Sequence, residues 1–437
     1  MLAALPVRPG YARYGADCFF DAETWRVLRI ERREAVGEAA SRAGPSGSTR
    51  LGPHQLATRT YYPYPTGDAA AWSYAKFCFR SSVFTLVTVV DHLYELHLAL
   101  STVAGIAVRE QLSAAHPLRR FLTPFFQQTF TVNDRAYDLL VAERTMASRT
   151  LAFTAEGLQE AWEAAPSLVC TRAMRPGGAD ELIDQPPIEQ LLRLVDRERY
   201  LHARAQGGVD TPYERQSLEL YRAFKRYVHA SLRAIHPSAN GLAADAELVG
   251  FVEQLLRTLS TTSHLVARAD VAAASGLGAD EAAVVVVVSA LAPEVLEELC
   301  TCLIATVCDR VTAGHEQVGH LAPYAKDGRF CAWRWPVGEA CSNKQSAITQ
   351  AVLTSFTFMP MPRLLAAPGS DDDWSHVFAG CASEEALRHC YAAFQRDLSA
   401  LAASFDEYNA AATTRPFPHG WGLWTNHPQL LECSLNL

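Results

Sequence analysis

Between Ala69 and Leu112 the chain runs without a proline, and its middle, FTLVTVVDHLYELHLALSTVAGIAV, is apolar at most positions. Such a run predicts one very long helix or a pair of helices, and His116-Pro117 then punctuates it. Helical patterning returns in ERQSLELYRAFKRYVHASLRAI, DAELVGFVEQLLRTL, PEVLEELCTCLIATVCDRVTAGHEQV and EEALRHCYAAFQRDLSALAASFDEYN. Ahead of the long run, CFF and the β-rich WRVLRI flank the turn-like DAET and predict a strand pair. The Gly/Ser-rich loop EAASRAGPSGSTRLGP follows. No fixed-period repeat stands out. The pattern predicts a mainly α chain with minor β near its start, organised as one domain over 1–437. Residues 1–68 hold the strand pair and loop, and 69–437 form a helical core.

Composition narrows the class. A chain of 437 residues with 49% hydrophobic content can bury a sizeable core. The net charge of −8 is mild and the 39 basic residues are dispersed, so no stripe selects nucleic acid or anionic lipid as partner. Eleven cysteines lack CxxC pairs, and MLAALPVRPGYARYG lacks a basic segment followed by a long apolar core. These features predict free thiols and a cytoplasmic setting. The run AAVVVVVSALAP, Ala282–Pro293, is about half the ~20 residues a bilayer span needs. It lies between Asp280 and Glu294 and predicts a buried segment, with at most peripheral membrane contact.

Histidines change the picture further. His54, His202, His229, His376 and His389 lie in polar surroundings and read as solvated. His92 and His97 interrupt the most apolar helix, and His315 and His320 close another, LCTCLIATVCDRVTAGHEQVGH. A buried imidazole needs its nitrogens satisfied by hydrogen bonds or a metal. One such histidine reads as a satisfied core residue; two apolar helices, each with His-x4-His, point to a shared metal site. In a regular α-helix, residues five apart are rotated by roughly 140°. His92 and His97 therefore reach one ion only if the helix carries a π-bulge, a feature that gathers at functional sites. HEQVGH is one residue too long for the zinc motif H-E-x-x-H, which leaves a zinc hydrolase using Glu316 as the third-ranked reading. Cys300 and Cys302 stand two apart on a helix, cannot share an ion, and read as core.

Taken together these residues resemble the catalytic domain of lipoxygenases. WSYAKFCFRSSVFTLVTVVDHLYELH looks like the family's W-x-x-A-K … His-x4-His run. HPLRRFLTPFFQQTFTVNDRAYDLL is similar to its H-P-x-x-x-L-x-P … N-x-x-A-R block, the most specific match in the chain. CLIATVCDRVTAGHEQVGH fits the helix bearing the third ligand, and LLECSLNL resembles the family's terminal N-S-x-x-I. FQRDLSALAASFDEYNAAATTRPFPHGW resembles the terminal helix and the proline-containing segment after it.

The resemblance implies a large helical domain around a long central π-bulged helix. It implies one non-haem iron, with manganese possible, held by His92, His97, His315 and the main-chain carboxylate of Leu437. The implied reaction removes hydrogen from a 1,4-pentadiene of a polyunsaturated fatty acid and adds O2 to give a hydroperoxide. Ala136 and Leu140 align with the substrate pocket, and Ala136 implies S-type oxygenation; Arg135 would either receive the substrate carboxylate or lie on the surface. Asp91 and Glu95 would orient imidazole N–H groups or edge a polar cleft. The segment LAPYAKDGRFCAWRWP would line a pocket mouth or pack as a surface loop.

Two departures accompany the resemblance. The family's further side-chain position falls on Gly319, so that water fills it, His320 swings in, or the site is weakened. The N-terminal β-barrel and the helices that usually follow it have no counterpart in the sequence, which suggests a compact variant or a reduced lid. The second reading is accordingly a catalytically weak or inactive lipid-binding protein of the same fold.

Overall fold

The computed structural model describes residues 1–8, most of 13–36, 50–136, scattered positions within 137–150, 151–173, 212–262, 292–311, 361–412 and 426–434. The expected strand pair is present: β1 (Ala16–Phe20) pairs antiparallel with β2 (Val27–Ala35). A third strand, β3 (Leu56–Tyr61), pairs with the other edge of β2 and corrects the reading of 1–68 as a pair plus loop. Its sequence LATRTY hides the strand because only Tyr61 is buried. Tyr61 lies opposite Ile30, and both pack on Ala75.

Helix α1 (Ala69–Thr85) begins where Asp68 accepts the Ala71 N–H at 2.7 Å, a side-chain N-cap. It continues without a break into a π-helical segment, Leu86–Ser101, and then into α2 (Thr102–Gln111). The spacing argument called for one widened turn; sixteen residues are π-helical instead. Hydroxyls reinforce the i→i−5 pattern at its end, with Ser101 Oγ donating to Leu96 O at 2.6 Å and Thr102 Oγ1 to His97 O at 2.9 Å. By length and composition Ala69–Gln111 is the one helix among the described residues apolar enough to cross a bilayer. The membrane-like stretch singled out in the sequence, Ala282–Pro293, lies almost wholly outside the described residues. In the fold, Ala75 of this long helix joins the sheet cluster, Phe77, Cys78, Val89 and Val90 join an N-terminal cluster, and Leu93, Leu96, Val103 and Ala104 join the main core.

The remaining helices surround it. Helix α3 (Pro117–Phe126) has His116 as its N-cap and Pro117 at its first position, as the His-Pro punctuation predicts. Then come α4 (Thr129–Ala136), α5 (Ala155–Ala173), α6 (Pro212–Ile235), α7 (Ala239–Ala244) and α8 (Ala246–Thr262). Helix α9 (Pro293–Ala305) passes into a second π segment, Thr306–Val311, and α10 spans Glu384–Ala412. Helix α5, absent from the sequence reading, packs across the first π segment, with Tyr94 and Trp162 edge to face at 6.1 Å. Gly157, near the start of α5, instead lets the N-terminal segment come close: a Cβ there would lie 2.3 Å from Pro6 O.

The segment 426–434 enters the main core through Leu431 and Cys433. Ser434 Oγ donates to Phe125 O at 3.4 Å, and Cys308 Sγ contacts Cys433 O at 3.6 Å. Among the described residues the eight cysteines are free thiols, and Cys300 is fully buried as expected.

Candidate functional site

His92 and His97 meet on the π segment. Their Nε2 atoms lie 3.2 Å apart, with the rings 4.7 Å apart and inclined by 60°. An i→i+5 helix places residues five apart on one face, which a regular α-helix does not. His97 is buried at 1% exposure, and burial pushes its pKa down to about 4, partly opposed by its bond to Asn133. Its imidazole is therefore neutral near pH 7.

Asn133, on α4, determines which nitrogen of His97 carries the proton. Its amide donates to His97 O at 2.9 Å and to Thr102 Oγ1 at 2.7 Å. With both amide hydrogens so engaged, Oδ1 is the atom facing His97 Nδ1 at 2.9 Å, and Nδ1 must donate. The His97 Nε2 lone pair then points at His92, whose Nε2 carries the hydrogen between the two rings. A cation taking both lone pairs would replace that hydrogen, and neutral imidazole is a suitable ligand for iron, zinc or copper. The acceptor for the His97 ring is thus Asn133 rather than either carboxylate proposed from the sequence. Asp91 and Glu95 are half-buried.

The second π segment packs against the first. Its Asp309, 2% exposed, accepts from Ser217 Oγ at 3.1 Å and from Asn426 Nδ2 at 2.6 Å. The Asn426 N–H donates to Gln216 Oε1 at 3.1 Å. This polar knot joins the second π segment, α6 and the segment 426–434 inside the core.

Other expected residues fall as follows. Ala136 is buried at the end of α4, one turn beyond Asn133, in the same cluster as Leu93 and Leu96. Arg135 is exposed. Leu140, His315, Glu316, Gly319, His320 and Leu437 lie outside the described residues. Asp309 was not singled out in the sequence, and Asn133 entered only as the Asn of the N-x-x-A-R block, with no role assigned to it. For Asn133 a signal existed, since a polar residue on a buried helix face must find hydrogen-bond partners.

Residues 50–159 match the family model for lipoxygenase, a span that holds both histidines and Asn133. The coral 8R-lipoxygenase crystal structure superposes on 99% of this chain and 57% of its own, with TM-score 0.64 and 14% identity. The chain has the fold of the lipoxygenase catalytic domain. A calcium-dependent 11R-lipoxygenase likewise aligns with 99% of this chain and 56% of its own, with TM-score 0.64 and 15% identity. In sequence, the mouse epidermal-type polyunsaturated fatty acid (12S)/(13S)-lipoxygenase is 26% identical over 184 residues, 42% of this chain and 25% of that protein. Mouse polyunsaturated fatty acid lipoxygenase ALOX8 is 27% identical over 198 residues, 44% of this chain and again 25% of its own. The match to these curated relatives therefore spans about a quarter of their length. The mainly helical lipoxygenase architecture expected from the sequence is the one observed.

Proposed function

We propose that the chain is a non-haem iron dioxygenase that adds O2 to a 1,4-pentadiene of a polyunsaturated fatty acid, yielding a hydroperoxide. The observation that carries this reading is the pair of facing Nε2 atoms of His92 and His97, with the His97 lone pair held in place by Asn133. The donor chemistry fits the metal: neutral imidazoles with one carboxylate suit an iron that changes oxidation state. His315 and the main-chain carboxylate of Leu437 are the further ligands the family resemblance implies, with His320 or water at the place of Gly319. Manganese is the alternative ion, because N/O sites discriminate weakly between neighbouring metals. Bound iron supplies the one-electron redox chemistry that begins oxidation of a bis-allylic C–H bond.

The chain's own residues support such chemistry in stated ways. Asn133 orients the His97 ring, and burial keeps that ring neutral and screened from water. Ala136 presents a small side chain in the core cluster that also holds Leu93 and Leu96 and is our basis for S-configured product. Arg135, being exposed, fits a substrate carboxylate only at the mouth of a channel.

The test is metal analysis of the purified protein, together with conjugated-diene absorbance and chiral product analysis using linoleic and arachidonic acids. Bound iron with diene formation is the expected result, and mainly R product would remove the Ala136 assignment. Iron without diene would leave a lipid-binding protein of this fold. Zinc with a hydrolytic activity abolished by Glu316→Gln would overturn the dioxygenase reading.

A further inference from the structure

Outside the His92–His97 site, three more ligand-type side chains converge. His116 Nε2 lies 2.9 Å and His236 Nε2 3.1 Å from the same oxygen, Asp245 Oδ2. All three atoms fall within 4.8 Å of one another. The side chains are 8%, 16% and 16% exposed, so the cluster is largely enclosed but open to water on one side.

We propose that His116, His236 and Asp245 form a second divalent-cation site, of zinc type. His236 Nε2 is a buried nitrogen 3.1 Å from the carboxylate, at an approach poorly aligned for a hydrogen bond. In the tautomer with its hydrogen on Nδ1, that nitrogen offers a lone pair to a cation. Two imidazoles and one carboxylate are a donor set that zinc takes, with water completing the shell. The other atoms of the three residues are already fixed. Asp245 Oδ1 caps α8 by accepting the Leu248 N–H at 3.0 Å, leaving Oδ2 for the ion. The His236 N–H continues the α6 ladder to Leu232 O at 2.8 Å, and His116 caps α3. The ion would pin the start of α3, the end of α6 and the start of α8 to one point. The ionisation states suit it. Burial lowers the His236 pKa and keeps the ring neutral; burial alone would raise that of Asp245, but the Leu248 N–H and His116 hold it below the usual carboxylate range.

One interaction opposes metal entry. His116 Nδ1 accepts the Leu118 N–H at 3.1 Å, which puts the ring proton on Nε2, facing Asp245. Coordination through Nε2 moves that proton to Nδ1 and gives up the cap bond, so metal uptake competes with capping of α3.

The experiment titrates the full chain and the variants His236→Phe and Asp245→Asn with Zn²⁺ against a chromophoric chelator, and follows thermal melting by circular dichroism. Asp245→Asn retains an oxygen for the Leu248 cap. Wild type should take one more equivalent of zinc than either variant, or bind that equivalent at least about tenfold more tightly. Zinc should raise its melting temperature but not theirs. Should a variant fail to fold, wild type alone decides by another route: zinc should protect His116 and His236 from diethylpyrocarbonate, read by mass spectrometry. Equal uptake in folded variants, or no protection in wild type, would mean adventitious zinc only and would overturn the site.

Discussion

Asn133 grips His97 twice: its Oδ1 accepts the ring Nδ1–H at 2.9 Å, and its Nδ2 donates to the His97 carbonyl at 2.9 Å. One side chain on α4 thereby fixes the ring's tautomer and the backbone that carries it. Asn133→Leu should lower iron affinity by roughly 10–100-fold, the usual cost of losing a residue that orients a ligand. Metal content after dialysis against a graded chelator series measures this, and unchanged retention would remove Asn133 from the site.

Burial of His97 has a pH signature. Its pKa in the fold, about 4, lies below the ordinary 6.5 of an imidazole in the unfolded chain, so the unfolded state binds more protons between these values. Stability of the metal-depleted protein should be complete above about pH 6.5 and should fall as pH drops toward 4. Urea unfolding at pH 7 and pH 5 should show the loss in wild type and a smaller one in His97→Gln.

Thr102 links the end of the first π segment to Asn133, donating to His97 O at 2.9 Å and accepting from Asn133 Nδ2 at 2.7 Å. Thr102→Val keeps the shape and removes both bonds. A loss of roughly 1–3 kcal/mol in unfolding free energy is expected, because the Asn133 amide is left short of a partner in the core. Thr102→Ser should recover most of it.

Asp309 holds Asn426 and Ser217 in the core. Asp309→Ala strips the acceptor and should destabilise the protein by roughly 1–3 kcal/mol. The loss should be concentrated in segment 426–434. Hydrogen exchange at the Asn426 and Cys433 amides should accelerate more than exchange in α10, and uniform acceleration would contradict the local role.

The sequence by itself determined the long proline-free helix, the strand pair, the His116-Pro117 helix start and the need for a π distortion between His92 and His97. Each depends on positions close along one element, where periodicity and capping chemistry act directly. The extent of the π segment was not legible: sixteen residues rather than one turn adopt it, with α5 packed across it and two hydroxyls at its end bonded to carbonyls five residues back. Strand β3 was hidden because, apart from Tyr61, its side chains are exposed or half-buried and give no buried alternation. The pairing of His97 with Asn133 spans 36 positions, and that of His116 with Asp245 spans 129. Periodicity carries no information at such separations. Only the packing of α4 against the central helix, and the meeting of three helix ends, decided which polar atoms share a site.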